Sequence, residues 1–573
     1  MTIIANKRFN GALAVFGLGL LAAYLHPYRT HPYRSYYQDA LVLLGLSLAW
    51  ALTIYQRRCM RLSSLLVLPL ILLLLLSLQL SLGLIPGAGA LSFPVLYFLF
   101  LILALTLGSS WADQPDGADK ICLSLALAHL AAGLISVALQ CVQLAGLDAT
   151  PFVMGIAHNA HTFLRPYANV AQPNQLALLL CLALASLWWL HQQGRMHGRA
   201  VLALAATLLW GLALTQSRIG WIIVPAFAVL CLMPVAAGRA VSRVGMSVLV
   251  LLYAAFVLGL PYLAQALGFA GGSLAEHVGG RSERMALWQQ AWRMAAQHPW
   301  LGVGWGGYGA EQVKIAADFS AGTYAEHAHN LILNFAAELG WPATLLFIGG
   351  LGWWLWQTCV LPAQSPTLRF ASLCLAAVLV HSMVEFPLWY AYVLIPVGVL
   401  LGMLHQLRWP AAGVRVGVEP AAAIAALVLA AALGWAISWD YRRVVQGFRA
   451  LGQELAGYQV APESMQMPAY TLFPQFYEYF RLMKVVPRAG MAQDEIAYVE
   501  RWSRRFGFVH ILNKLAEVYV LNGQPQQAGR VMLTLQRLHP FDYPEYYDYW
   551  QAKAALDARY RVVFQRMPSR EAP

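Results

Sequence analysis

Two histidines separated by a single residue, His327 and His329, lie near the end of a polar loop that runs from about residue 267 to residue 332. Imidazole changes charge near neutral pH, so either side chain could act as a general base or a general acid. The loop joins apolar runs long enough to cross a bilayer, and a long polar insertion of this kind is where reactive residues are expected. The alternative is that both histidines belong to an ordinary surface loop or cap the helix that follows.

Arginines in two places could bind an anion. Arg218 follows a short apolar run, at or just inside the membrane boundary, where a charge is costly and usually has a partner or a function. The alternative is an arginine that snorkels to the interface. In the long loop, Arg281 and Arg284 open an amphipathic segment, which we predict to be a helix that ends at His298-Pro299. Arginines beside the free N–H groups of a helix N-terminus suit a phosphate group.

An earlier loop, about 147 to 172, carries His158, His161 and Arg165, and Gln172 stands at the start of the next helix. Proline in the first turn and side-chain amides beside the free N–H groups explain this helix start structurally. His158 and His161 are three residues apart and could in principle bind a metal, but no acidic or cysteine partner lies nearby in the sequence. We therefore expect no metal.

A third polar stretch, Glu385 to Tyr392, forms a proline-containing turn between two apolar runs. It includes Tyr390 and Tyr392. On its residues alone, the stretch indicates an aromatic belt at the membrane surface rather than a reactive site.

The composition indicates an all-α polytopic membrane protein, because 59% of the 573 residues are hydrophobic and only 11% are charged. The net charge of +12 comes from basic residues scattered between apolar runs, so we read it as a set of topology and lipid contacts rather than a nucleic-acid surface. We predict about thirteen transmembrane helices, at approximately 10–25, 39–55, 63–84, 91–109, 120–146, 173–190, 199–215, 218–236, 242–266, 333–357, 369–386, 388–407 and 419–439.

Orientation follows from lysine and arginine in the short loops. With the N-terminus inside, the cytoplasmic segments hold most of these residues, which places the 267–332 loop outside the cytoplasm. We predict a transmembrane domain over residues 1–440, including this loop, and an external α-helical domain over 441–573. Ile511 to Pro540 is predicted to be a helical hairpin with a turn at Asn522-Gly523-Gln524-Pro525, which resembles a tetratricopeptide unit.

Several of these stretches together resemble a known family. The shared core of the O-antigen ligases and polymerases, the WaaL/Wzy superfamily, is similar to Ser217-Arg218, to Arg284-Met285-Ala286-Leu287-Trp288 running on to His298-Pro299-Trp300-Leu301-Gly302-Val303-Gly304, and to His329-Asn330 with Glu338-Leu339-Gly340. Within that superfamily, the PglL/PilO bacterial protein O-oligosaccharyltransferases are similar to Pro166-Tyr167-Ala168-Asn169-Val170-Ala171-Gln172-Pro173-Asn174-Gln175 and to Val384-Glu385-Phe386-Pro387-Leu388-Trp389-Tyr390-Ala391-Tyr392. The extended C-terminal region also resembles this branch.

The resemblance implies a transferase of the inner membrane whose active site lies on the periplasmic face. Its donor would be an oligosaccharide on undecaprenyl diphosphate, and its acceptor a serine or threonine hydroxyl of a protein such as a pilin. The resemblance assigns catalytic roles to His329, Arg284 and Arg218, with His329 acting on the acceptor hydroxyl and the arginines binding the diphosphate. It assigns substrate contacts to six residues, with Tyr392 as an alternative to Tyr390: Arg281, Gln172, Tyr390, His327, Asn330 and Arg165. We expect no metal and no cofactor.

Three other functions are alternatives. An O-antigen ligase, which uses lipid A core as acceptor, and a repeat-unit polymerase would share the arginines and the histidine. The stretches around Gln172 and Tyr390, together with the C-terminal domain, favour a protein acceptor. A transporter would distribute polar residues through the depth of the spans, whereas here they gather at one predicted membrane face.

Overall fold

The computed structural model describes residues 2–156, 164–236, 238–269, 283–319, 322–361 and 364–571. Arg281, for which a substrate contact is predicted, lies outside the described residues. So do His158 and His161, the pair considered as metal ligands. Among those described, nearly all regular structure is α-helical, as predicted. In chain order the helices, which we label α1 to α22, are Thr2–Leu25, Tyr36–Arg57, Val67–Ser81, Ser92–Ala112, Gly117–Leu144, Pro173–Gln192, Gly198–Leu214, Arg218–Leu232, Arg243–Ala266, Glu283–Gln297, Tyr308–Ile315, Leu331–Leu339, Trp341–Leu355, Pro366–Ser382, Ala391–Arg408, Pro420–Leu455, Pro474–Lys484, Gln493–Arg505, Val509–Leu521, Pro525–Leu538, Tyr543–Leu556 and Ala558–Phe564.

Within the described part of the chain, nine helical segments are long and apolar enough to cross a membrane, and four shorter helices are also apolar. The thirteen predicted runs coincide with these segments, although the number that cross the bilayer stays a prediction. One run differs from the prediction. The stretch 333–357 is not one helix. Helix α12 ends at Leu339, Gly340 caps it, and α13 begins at Trp341.

The prediction also missed a short β-ribbon. Strand β1, Cys59–Ser63, pairs antiparallel with strand β2, Gly413–Gly417. Asp113 lies beside the ribbon, 2.9 Å from the guanidinium of Arg415 and 3.5 Å from that of Arg61. Each strand is too short to show a period, and the two are far apart in sequence, so hydrophobic patterning gives no signal for the pairing.

The chain forms two compact units. The first comprises Met1–Ile71, Leu96–Gly280 and Leu351–Gly434, and the second comprises Leu72–Val95, Arg281–Gly350 and Trp435–Pro573. By packing, therefore, the described part of the long loop from Glu283 onward belongs with the C-terminal helices. The division at residue 440 that we predicted from composition stays a prediction.

In the first unit, α6 occupies the centre. The most apolar 18 residues of α6 are 83% buried. The helix packs against α5, α7, α8 and α14. A helix that is apolar on all sides is expected to be surrounded by other helices in this way. The corresponding windows of α9 and α16 are only 11% buried, so most of their apolar surface is free to face lipid.

In the second unit, the loop packs on the C-terminal helices. Val313 and Ala316 of the loop share one apolar core with Leu515 and Leu535 of the α19–α20 hairpin. The backbone N–H of Tyr324 donates to the carbonyl of Leu538 at 3.0 Å. The predicted helical hairpin is confirmed, since α19 ends at Leu521 and α20 begins at Pro525.

We predict that Gly402→Val destabilises the first unit. A Cβ at Gly402 would lie 2.2 Å from the carbonyl oxygen of Leu105, so α4 and α15 would have to move apart. Overpacking of this kind costs about 1–3 kcal/mol and should lower the thermal unfolding temperature in detergent. Gly434→Val is the matched control, because a Cβ at Gly434 meets nothing within 4 Å. Equal unfolding temperatures for the two variants would contradict this packing.

Candidate active site

The two histidines lie in the second unit, in the turn that leads into α12. His329 has a left-handed backbone conformation, with φ of 50°. This conformation costs a non-glycine residue energy and persists where the surroundings enforce it. Asn330 caps α12, because its side-chain oxygen accepts from the N–H of Leu333 at 3.0 Å. The residue that caps the helix is therefore Asn330 and neither of the two histidines.

The two histidines differ in their electrostatic surroundings. Burial, with smaller contributions from the nearby His329 and Arg505, lowers the pKa of His327 to about 3. His327 is therefore neutral at neutral pH. A neutral imidazole can donate or accept a hydrogen bond but brings no positive charge to a diphosphate.

Helix α12 carries a buried polar row behind the histidines. The side-chain oxygen of Asn334 accepts from the N–H of Ala328 at 2.9 Å, and its amide nitrogen donates to Glu338 at 3.3 Å. The other carboxylate oxygen of Glu338 accepts from the N–H of Tyr308 at 3.3 Å. Burial raises the pKa of Glu338 to about 7, against the effect of backbone N–H groups and of the positive charge of Arg505.

Gln79, which is fully buried, fixes the loop between His298 and Tyr308. Its amide nitrogen donates at 2.8 Å to the carbonyls of Leu301 and Glu338, and its oxygen accepts from the N–H of Trp305 at 3.1 Å. The loop lies directly on α12, since a Cβ at Gly302 would be 2.3 Å from the carbonyl carbon of Glu338. The sequence analysis missed Gln79, although an amide in a leucine-rich run is a signal for buried polar contacts.

Helix α10 begins at Glu283, so Arg284 lies in its first turn, as predicted. The hydroxyl of Tyr308 donates to the carbonyl of Leu287 at 2.8 Å and holds the helix against the loop. Trp292, which is exposed, contacts the ring of Trp341 edge to face. A groove of about 500 Å³ runs along this side of the helix and is lined by Trp288, Gln289, Trp292, Arg293, Ala296, Phe319 and Leu333.

The first unit brings three of the predicted stretches together. Arg165 donates from Nε to the carbonyl of Thr215 at 3.0 Å and lies 3.4 Å from the side-chain oxygen of Asn174. Asn174 in turn donates to the carboxylate of Glu385 at 2.8 Å. Gln216, with φ of 50°, donates to the carbonyl of Leu164. Hydrogen bonds therefore link three stretches of the chain. The first contains Leu164, Arg165 and Asn174, the second contains Thr215 and Gln216, and the third contains Glu385.

Arg218 and Gln172 stand at helix starts in this unit. Arg218 is the first residue of α8 and is exposed. Gln172 caps α6, because its side-chain oxygen accepts from the N–H of Gln175 at 2.6 Å. Ala171 before it has φ of 66°, a left-handed conformation. The structure thus gives Gln172 the capping role that the helix start suggested, and its contact with substrate stays a prediction.

Tyr390 is partly buried beside Tyr392 and Phe386. Burial and the nearby carboxylates of Asp39 and Glu385 raise the pKa of Tyr390 to about 12, so its phenol is protonated and can donate a hydrogen bond. Asp39 anchors this turn, because its carboxylate accepts from the N–H of Ala391 at 2.8 Å. The sequence analysis did not single out Asp39.

The predicted site residues thus fall into two groups. The first unit contains Arg218, Arg165, Gln172 and Tyr390, and the second contains Arg284, His327, His329 and Asn330. Their assembly into one site stays a prediction. Among the residues that the structure describes, no group of three or more His, Cys, Asp or Glu side chains is arranged to hold a metal.

Two family models match the chain. A model of the O-antigen ligase family matches residues 202–348, the range that contains Arg218, Arg284 and both histidines. A second model, described as virulence factor membrane-bound polymerase, C-terminal, matches residues 370–555. Together with the helical fold, these matches identify a multi-pass membrane glycosyltransferase similar to the O-antigen ligases.

Two relatives from Acinetobacter baylyi (strain ATCC 33305 / BD413 / ADP1) are more specific. The chain is 25% identical over 535 residues, 91% of each chain, to the general O-oligosaccharyltransferase of that strain. It is 26% identical over 320 residues, 54% of this chain and 56% of the relative, to the ComP-specific O-oligosaccharyltransferase. The predicted resemblance to the PglL/PilO-type O-oligosaccharyltransferases is confirmed.

We predict that His327→Gln makes the protein less sensitive to mild acid. The pKa of this histidine is about 3 in the folded chain, below the usual 6.5, so its neutral form stabilises the fold above pH 6.5. Below that pH the unfolded chain takes up a proton that the folded chain does not, which costs up to about 1.4 kcal/mol per pH unit. Thermal unfolding between pH 7 and 5 should therefore show a smaller loss for His327→Gln than for wild type. His298→Gln, at an exposed position, is the control, and a loss equal to that of wild type in both variants would contradict the burial of His327.

Proposed function

We propose that this protein transfers an oligosaccharide from undecaprenyl diphosphate to serine or threonine hydroxyls of periplasmic proteins, including pilins. The observation that carries the proposal is the alignment with a general O-oligosaccharyltransferase over 91% of both chains. We place the protein in the bacterial inner membrane, with the reaction on its periplasmic face. The lysine and arginine asymmetry of the short loops supports this orientation.

In the proposed reaction, the acceptor oxygen attacks the anomeric carbon of the donor sugar. The new carbon–oxygen bond forms as the bond to the phosphate oxygen breaks, and the diphosphate leaves with the electron pair. His329 takes the proton of the acceptor hydroxyl. The polar row behind it supports this role, because Asn330 and Asn334 fix the backbone on both sides of His329.

The arginines bind the diphosphate and stabilise the charge that develops as it leaves. Arg218 and Arg284 both lie in the first turn of a helix, where free N–H groups add to the attraction for an anion. Arg281 joins them, and Arg165, Gln172, Tyr390, His327 and Asn330 contact the glycan or the acceptor. Because the lipid diphosphate is itself a good leaving group, the donor needs no nucleotide activation. We propose that the reaction also uses no metal and no cofactor.

Reconstitution distinguishes the candidate acceptors. The protein in liposomes with a lipid-linked oligosaccharide should transfer the glycan to a pilin and retain this activity in EDTA. Separate reactions contain lipid A core, or neither acceptor. Transfer to lipid A core and never to protein would identify an O-antigen ligase, and growth of the lipid-linked glycan alone would identify a polymerase. Loss of activity in EDTA would contradict the metal-free reaction.

Variants in the same assay test the assigned roles. His329→Ala should lower kcat by about 10²–10⁴-fold, the usual contribution of a general base. Arg218→Ala and Arg284→Ala should weaken the use of the donor, measured as kcat/KM for the lipid-linked oligosaccharide. Arg530→Ala, at an exposed position of the C-terminal region, is the control. Full turnover by His329→Ala would remove the base role, and unchanged donor dependence would remove that of the arginines.

A further inference from the structure

We propose that Asn334 and Glu338 form a hydrogen-bonded relay that positions the His327–His329 segment, which makes Glu338 a positioning residue of the active site. The proposal deepens the proposed function and rests on the role given there to His329. It concerns only the second unit, in which all of these residues lie.

The three hydrogen bonds of the relay all run, from donor to acceptor, towards Glu338. The N–H of Ala328, the residue between the two histidines, donates to the oxygen of Asn334, and the amide nitrogen of Asn334 donates to one oxygen of Glu338. The N–H of Tyr308 donates to the other oxygen of Glu338. Asn334 and Glu338 are 2% and 1% exposed, so water cannot replace either partner.

These directions require a side chain at position 338 whose two terminal atoms both accept hydrogen bonds. A carboxylate accepts on both oxygens, whereas the amide of glutamine accepts on one atom and donates on the other. A glutamine at position 338 would therefore place an N–H against either Asn334 or Tyr308. Because Asn334 has only one oxygen, rotating its amide to compensate would remove the acceptor of the Ala328 N–H.

A buried carboxylate is costly, which argues that it does more than fill space. Arg505 of α18 offsets part of this cost, because its positive charge favours the ionised form of Glu338. The guanidinium of Arg505 donates to the carbonyl of Gly306 at 2.6 Å and is held beside the same loop. The titratable and charged groups around the relay are therefore Arg505, Tyr308 and the two histidines.

Exchanging the carboxylate of position 338 and the amide of position 334 tests the relay. At a pH above the raised pKa of Glu338, where its carboxylate is ionised, Glu338→Gln and Asn334→Asp should each lower kcat by at least about ten-fold with KM for the donor nearly unchanged, because the reacting histidine is misplaced while donor binding is not. In Asn334→Asp, two carboxylates face each other. The double variant restores the three hydrogen bonds of the relay: the aspartate accepts from Ala328 and from the new glutamine amide, and the glutamine oxygen accepts from Tyr308. Its kcat should return to within about three-fold of wild type.

Controls separate positioning from general stability. Glu311→Gln makes the same chemical change at a residue that pairs with Lys314 on the surface of α11, and it should leave kcat unchanged. Thermal unfolding is measured for every variant. A double variant that regains the wild-type unfolding temperature but not kcat, or a Glu338→Gln protein with full kcat, would overturn the relay.

A second cycle separates this proposal from the proposed function. If Glu338 acts through His329, Glu338→Gln should lower the residual activity of His329→Ala by less than about two-fold. Full turnover by His329→Ala would contradict the role of the histidine whatever the exchange shows. An inactive His329→Ala beside a fully active Glu338→Gln would contradict the relay alone.

Discussion

The amide of Gln79 makes the hydrogen bonds on which the geometry of the second unit most depends. It satisfies two carbonyls and one N–H of the backbone in a region where water is excluded. Buried backbone groups must be paired, and leaving one unpaired costs about 1–3 kcal/mol. One side chain therefore fixes both the loop after His298 and the end of α12, so the distance between Tyr308 and Glu338 is set by a residue more than two hundred positions earlier in the chain.

Asp39 has a comparable place in the first unit. Its carboxylate accepts hydrogen bonds from the hydroxyl of Tyr97 at 2.8 Å and from the N–H of Ala391. These bonds hold the turn that carries Tyr390. In both units the residues with predicted roles lie in turns or at helix starts, and Asp39 and Gln79, which hold the neighbouring turns, lie in apolar helices. This arrangement resembles a rigid scaffold that positions reactive loops.

Local patterns predicted most of the helices. Apolar runs located the candidate spans, and the terminal His298-Pro299 located the end of α10, which falls at Gln297. The break at Gly340 was missed because the apolar character continues across it. The β-ribbon and the contacts of Gln79 were missed for a different reason: both join residues more than two hundred positions apart, and no local period reports such a pairing. Arg281 and the pair His158 and His161 lie outside the described residues, so the structure does not bear on them.

The contact of Arg505 with Gly306 has a consequence for engineering. The C-terminal helices supply a side chain to this loop at Gly306, directly beside Trp305, whose N–H donates to Gln79. Exchanging only these helices between related enzymes would set a foreign α18 against a loop that had been fitted to another partner. The smallest piece of the second unit that can be transplanted intact in a chimera is therefore the segment that carries Gln79, Leu72–Val95, with the loop from residue 283 to residue 339 and the C-terminal helices.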